Sequence, residues 1–261
     1  MLINEGFFSR YLLSVILAGT YIFLYVPIAV LIIFSFNSVA FPYTWHSFSL
    51  KWYAELMQSP VIWDAFKNSL IVATGSALLS LLLGVLFVFY SAQSKMKFLL
   101  SSFFANLMVP EIILSVGLLT FFTFFAVPLG LVTLIVGHTI LGLGYVVPLL
   151  SGRFKEIDYS LIEASLDLGA SLNQTFMKVI LPLLMPAIIS STLLVFIISL
   201  DDFLLSFFCA GSSVQTLSLY IFATIRTGVS PTLNALSTVL FVVSSGLILL
   251  LASSKIRAKL F

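Results

Sequence analysis

The chain has 261 residues, 61% hydrophobic and 8% charged, with a formal net charge of +2. Soluble domains carry about 25% charged residues, so this composition excludes an ordinary water-soluble enzyme or binding module. The charges sit in islands, with none between Arg10 and Lys51, Lys67 and Lys95, Glu111 and Arg153, Lys178 and Asp201, or Arg226 and Lys255. A membrane-spanning helix needs about 20 mostly apolar residues. The neutral intervals predict six such helices, at about 11–36, 67–92, 98–126, 130–151, 183–208 and 232–253. The expected fold class is all-α, a polytopic membrane protein forming one domain over 1–261.

The opening apolar run, about 26 residues, is too long for the core of a removable signal peptide and is read as a permanent span. The loop that follows, about 37–66, holds Trp45, Trp52 and Trp63 with Tyr43 and Tyr53. Aromatics commonly form belts at the membrane interface. Trp45 is the one singled out for stacking on a cation. The third span carries the only mid-span acid, Glu111, directly after Pro110. That proline removes a backbone hydrogen bond and bends helices, and broken helices at membrane depth are tolerated where they line a cavity. His138 in the fourth span and His46 lack metal-ligand spacing and are read as packing residues. Cys209 is the only cysteine, which excludes an internal disulfide or a cysteine-based metal site.

Between spans four and five lies a polar stretch with its own local signals. Ser160-Leu161-Ile162-Glu163 fits a capping box, and Gly169 fits the left-handed position that closes a helix. Ser171-Leu172-Asn173-Gln174 repeats the box, and Pro182 falls near the first turn of the next span. A helix, a glycine corner and a second helix are expected at the membrane surface. Asp201 and Asp202 come late in the fifth span. At 1.5 Å per residue, Glu111 lies ~21 Å from Lys97 and Asp201 ~28 Å from Pro182. Both depths are at or beyond the midplane. Acids there usually face a cavity or a partner, and Lys67 is the nearest base for neutralising them. Adjacent helical positions point about 100° apart, so one of the two aspartates faces the path.

Nine of the twelve basic residues fall on one side if the N-terminus is cytoplasmic: Arg10, Lys95, Lys97, Arg153, Lys155, Lys178, Lys255, Arg257 and Lys259. Lys51, Lys67 and Arg226 fall on the other. Positive loops stay inside, which puts both termini and the loop of 158–182 in the cytoplasm. The chain contains no Gly-Lys pair, hence no phosphate-cradling loop. It also lacks a Ser/His/Asp grouping, an H-E-x-x-H helix, or paired carboxylates on a soluble cleft.

Glu163-Ala164-Ser165, three residues, Gly169, nine residues, then Val179-Ile180-Leu181-Pro182 resembles the EAA loop of bacterial ABC-importer permease subunits. Ser165 stands for the family's second alanine and Val179 for its isoleucine. Further segments are similar to the C-type permease of spermidine/putrescine importers. They are Phe34-Ser35-Phe36-Asn37-Ser38, Lys51-Trp52-Tyr53, Pro110-Glu111-Ile112, Leu200-Asp201-Asp202, Gly228-Val229-Ser230-Pro231 and Asn234-Ala235-Leu236. Glu111 stands where the family has an aspartate.

The resemblance implies a non-catalytic subunit of the bacterial inner membrane that forms half of a polyamine pathway. Its partners would be a second permease subunit, two ATPase subunits, an extracytoplasmic polyamine-binding protein and membrane lipid, with no nucleic acid. ATP and Mg would sit on the ATPase, and this chain would bind no cofactor or metal. Glu163, Ala164, Ser165, Gly169, Leu181 and Pro182 would carry ATPase coupling. Apolar contact there would come from Leu161, Ile162, Ala164, Leu168, Leu172 and Phe176. Glu111, Asp201, Asp202 and Trp45 would line the substrate path. Alternatives are the same machine with another small cation, an amino-acid-like compound or a phosphonate, a proton-coupled secondary transporter, or a purely structural membrane subunit.

Overall fold

A computed structural model describes residues 7–40, 44–93, 97–228 and 230–253. Lys95, Lys255, Arg257 and Lys259 of the charge count, together with Tyr43 and Val229, lie outside the described residues. In chain order the helices are α1 (Phe7–Ser35), α2 (Lys51–Gln58), α3 (Pro60–Gln93), α4 (Lys97–Asn106), α5 (Glu111–Phe124) and α6 (Leu131–Lys155). There follow α7 (Tyr159–Asp167), α8 (Leu172–Thr175), a π-helical turn (Phe176–Ile180), α9 (Leu181–Asp201), α10 (Leu204–Cys209), α11 (Leu217–Thr227) and α12 (Pro231–Ser253). No strand forms among the described residues, and an isolated antiparallel bridge joins Asn37 to Phe48.

Among the described residues, four helical stretches are long and apolar enough to cross a membrane: Leu12–Ser35, Pro60–Ser91, Leu131–Lys155 and Leu172–Asp201. Glu111–Phe124, Leu217–Thr227 and Pro231–Gly246 are shorter apolar helices. Two expected spans are differently built. The third is interrupted between Asn106 and Glu111, where Pro110 takes φ −55° and ψ 131°. Proline has no amide for the helical ladder, so the chain leaves the helix and a new one starts behind it. The fifth begins earlier than expected, at Leu172, and ends at Asp201, where Asp202 turns to ψ 127°. Its π-turn closes just before Leu181-Pro182; the wide turn lies where the proline cannot supply the next α-type bond.

Contacts group the chain into two compact units, Met1–Ser59 with Thr224–Arg257, and Pro60–Ala223 with Ala258–Phe261. In the first, α12 packs on α1 and α2. Trp52 is buried and its Nε1 donates to the Asn37 carbonyl at 2.7 Å. Asn37 in turn accepts from the His46 amide and donates to the Thr44 carbonyl, each at 3.0 Å. These bonds fold the segment after α1 back onto α2. The side chains of α1 from Leu12 to Tyr25 are exposed and mostly apolar, as a span facing lipid or another subunit requires.

In the second unit, α3, α6 and α9 pack together around Val146, Val147, Leu150, Leu184 and Val195. Small residues let the backbones approach. A Cβ on Gly84 would meet Val146 at 2.6 Å, and one on Gly142 would meet Val195 at 2.7 Å. Gly144 makes room for Asn106, whose amide donates to the Ile140 carbonyl at 3.1 Å. Asn106 thereby pins the broken end of α4 to α6, and this anchors the start of α5.

Candidate functional site

The break before α5 and the corner after α9 converge. α5 packs on α10, so Glu111, in the first turn of α5, faces the Asp202 carboxyl closely enough for the two to interact directly. Asp202 is buried and caps α10. Its Oδ1 accepts from the Leu205 amide at 3.4 Å and its Oδ2 from the Ser206 amide at 3.0 Å. The Ser218 hydroxyl donates to its carbonyl oxygen at 2.7 Å. Asp201, by contrast, is exposed. The aspartate that meets Glu111 is therefore Asp202, and its neighbour points elsewhere.

A buried polar chain continues from this pair. His138 Nε2 lies 3.4 Å from Asp202 Oδ2, and its Nδ1 lies 2.7 Å from Ser199 Oγ. Ser76 Oγ donates to Ser199 Oγ at 3.1 Å. His138 is 1% exposed. The ring beside Asp202 is thus that of His138, while Lys67 sits exposed on α3. Sequence reasoning read His138 as a packing residue; it is buried as packing requires, but its ring faces a serine and a carboxylate. The signal in the sequence is a histidine in an apolar span with Thr133 and Thr139 as its polar neighbours on the same helix, which does not point to a partner on another one.

Glu111 is half-buried and lines a pocket of about 70 Å³ with Asn106, Tyr145 and Ile198 among its walls. In the same measure a water needs about 10–15 Å³, so the pocket has room for a few water-sized groups.

The polar stretch between α6 and α9 is built from local caps. Asp158, not Ser160, caps α7: its Oδ1 accepts from the Ser160 amide at 3.0 Å. The expected Ser160–Glu163 box is therefore replaced by a cap two residues earlier, with the carboxylate nearer the free amides. Those bonds hold the Asp158 carboxyl below the usual carboxylate range. Gly169 closes α7 with φ +83°. Ser171 and Gln174 form the second box as expected, at 2.8 and 3.3 Å.

Ser165 Oγ lies 3.0 Å from Thr175 Oγ1 and ties α7 to the next helix. Ile162 and Phe176 turn inward, Phe176 with its ring 4.2 Å from that of Phe89. They are thereby removed from the expected outward contact set. Leu161, Leu168 and Leu172 stay exposed, Leu168 at 89%, and Glu163 and Ala164 are exposed beside them. Leu181 is half-buried against the core and Pro182 is exposed at the start of α9. Trp45 is 49% exposed in the first unit.

No family model matches the sequence. Curated proteins do. Over 251 residues the chain is 37% identical to the spermidine/putrescine transport system permease protein PotC of Escherichia coli K12, covering 95% of this chain and 94% of that one. The Haemophilus influenzae protein of the same name is 36% identical over 233 residues, covering 88% and 91%. The putrescine transport system permease protein PotI of Escherichia coli K12 is 34% identical over 239 residues, covering 87% and 84%. The chain belongs to the spermidine/putrescine permease family. Among solved structures, a bacterial ABC transporter involved in import of the acidic polysaccharide alginate superposes with TM-score 0.73 at 14% identity, covering 97% of this chain and 98% of that chain. The MetNI methionine ABC transporter gives 0.63 at 21%, covering 77% and 99%. These two speak to the fold, that of an ABC-importer membrane subunit.

This spermidine/putrescine-family permease is thus a multi-pass, all-α membrane protein, as its sequence led us to expect. Its distinctive interior is an acid pair set where two helices break. A break frees backbone and side chain from the apolar ladder, which is how carboxyls come to stand inside a span without facing lipid.

Proposed function

We propose that the chain forms half of the translocation pathway of an ATP-driven polyamine importer, with Glu111 and Asp202 as weak, replaceable partners for passing ammonium groups. The family supports the cargo, and the apposition of Glu111 and Asp202 at the double break carries the reading of the site. A cation supplies the charge the pair lacks; an anion is repelled by it. Trp45, in the loop after the first span, is offered as a stacking partner for a cation. Tight binding would slow release, so affinity at the pair is modest and specificity resides in a delivery protein.

The energy comes from a separate ATPase pair. The loop of 158–182 is the grip for one ATPase subunit, with Glu163, Ala164, Ser165 and Gly169 at its corner. Leu161, Leu168 and Leu172 form its apolar surface. Leu181 and Pro182 begin the span that the grip moves. A second permease subunit completes the pathway, and both termini of this chain are cytoplasmic.

The test is uptake of labelled spermidine and putrescine in proteoliposomes holding this chain with its partner subunits. Glu111→Gln is expected to lower ATP-driven uptake about tenfold, the scale of a lost charge-assisted contact of 1.4 kcal/mol or more, with assembly of the ATPase intact. Uptake at the wild-type rate would remove Glu111 from the path. Uptake driven by a proton gradient with no ATPase present would replace the importer by a secondary transporter.

A further inference from the structure

We propose that His138 is a positioning residue for the acid pair: its ring bridges α6 and α9, sets the direction of the Asp202 carboxyl, and through it that of Glu111 toward an ammonium group. The inference rests on the pathway reading above and deepens it.

The ring is poorly chosen if packing is all it does. His138 is 1% exposed within an apolar span, and a leucine would fill the space with no polar atoms to satisfy. Instead one nitrogen is bonded and the other aimed. Ser76 Oγ reaches both the Ala73 carbonyl and Ser199 Oγ; with its proton on Ser199, the Ser199 proton serves His138 Nδ1. An imidazole that accepts at Nδ1 keeps its proton on Nε2. That N–H faces Asp202 Oδ2 across 3.4 Å yet makes no hydrogen bond in this conformation. Asp202 Oδ2 already accepts from the Ser206 amide, and a carboxylate oxygen has a second lone pair to offer the ring.

The gap is about half an ångström beyond an ordinary N–H···O bond of ~2.9 Å. Catalytic and binding hydrogen bonds are often long before the ligand arrives and tighten afterwards. Here the tightening has an obvious agent. Ser199 and Asp202 stand at the end of one helical run that begins at Leu172 beside the loop corner, thirty residues away. A small shift of that run moves Ser199 and Asp202 together relative to the α6 backbone, and the ring, bonded to Ser199, turns against Asp202. Leu134, Val146 and Val147 hold α6 with no exposure at all. The contact therefore closes or opens with α9, and the aim of the acid pair with it.

The test uses the full complex in proteoliposomes, with uptake of labelled spermidine normalised to assembled complex and thermal stability measured in parallel. His138→Leu fills the space and removes both nitrogens. His138→Gln keeps an amide N–H that reaches the Nε2 position. Expected is a loss in maximal uptake of about tenfold for the leucine variant, within what misplacing a group by under 1 Å costs, with KM and melting temperature unchanged. The glutamine variant is expected to retain most of the uptake. Adding His138→Leu to Asp202→Asn should give little further loss, because the histidine acts through the aspartate. Equal uptake by the leucine and glutamine variants, at whatever level, overturns the proposal, as does a loss that tracks stability. Glu111→Gln is the control that separates the two readings. If it transports normally, the pathway reading itself fails; if it is impaired while His138→Leu is not, only the role of His138 is lost.

Discussion

The loop of 158–182 and the buried chain from Ser76 to Glu111 lie at opposite ends of one helical run and are stabilised in opposite ways. The loop is written in short range: Asp158 bonds two residues ahead, Ser171 and Gln174 three apart, and Gly169 turns the chain by its own φ. The buried chain is written in long range, with Ser199 reaching back 61 residues to His138 and Ser76 reaching 123 residues forward to Ser199. Local caps make a rigid corner that keeps its shape while its outer face stays free. Long-range polar contacts make a site that exists only when four helices are in place, and that changes when one of them moves. The proposed coupling loop would use the first property and the proposed substrate pathway the second.

The comparison breaks most sharply at Gly169. A Cβ there meets nothing within 4 Å on this chain, so a large side chain has room here and costs about 1 kcal/mol for the left-handed backbone alone. Gly169→Leu is expected to leave insertion and the buried chain intact while lowering ATP-driven uptake about thirtyfold, the effect of losing a contact worth 2 kcal/mol at an interface centre. Co-purification with the ATPase and uptake are the two measurements. Normal uptake would show that the corner is a solvated connector.

How far each region was legible before the structure follows from the same contrast. Gly169 and the Ser171–Gln174 box were readable because a cap is a statement about neighbours. Even there the first cap was misplaced: Asp158 and Ser160 are both good caps two residues apart, and only the backbone turn decides between them. Glu111 and the two aspartates stood out as acids in apolar spans, and Pro110 announced the break. That Asp202 and not Asp201 meets Glu111, and that His138 joins them, depends on how α5, α6 and α9 pack. No period or spacing in the chain encodes that meeting. The π-turn before Pro182 is likewise a settlement between a missing amide and a helix held at both ends.

The loop itself divides into an inward and an outward half, and paired truncations sharpen this. Phe176 packs against Phe89 with ring centroids 4.2 Å apart and is half-buried, whereas Leu168 stands 89% exposed. Phe176→Ala is expected to destabilise the chain by about 2 kcal/mol, below the 3–5 kcal/mol of a fully buried phenylalanine. Leu168→Ala is expected to change stability by less than about 0.5 kcal/mol, as surface substitutions do. The same variant should weaken association with the ATPase about tenfold, since an exposed leucine at a docking corner is covered only by the partner. Thermal melting of the isolated permease pair and pull-down of the ATPase distinguish the two; identical behaviour of both variants would erase the division.

The smallest effect tests whether the corner is self-capped. Asp158 is fully exposed and its carboxyl is held below the usual range by the Ser160 amide. A depressed acid contributes its stabilisation above its ordinary pKa of about 3.9 and loses it as pH falls through the lower folded value. The first turn of α7 should therefore open in strong acid and be unchanged between neutral pH and pH 5, measured as amide exchange at Ser160 and Leu161. Asp158→Asn keeps a side-chain acceptor and should preserve the turn at neutral pH while removing its acid dependence; Asp158→Ala should open the turn at every pH. If the asparagine variant still opens in acid, the titrating group is elsewhere in the loop and the cap is not what holds the corner.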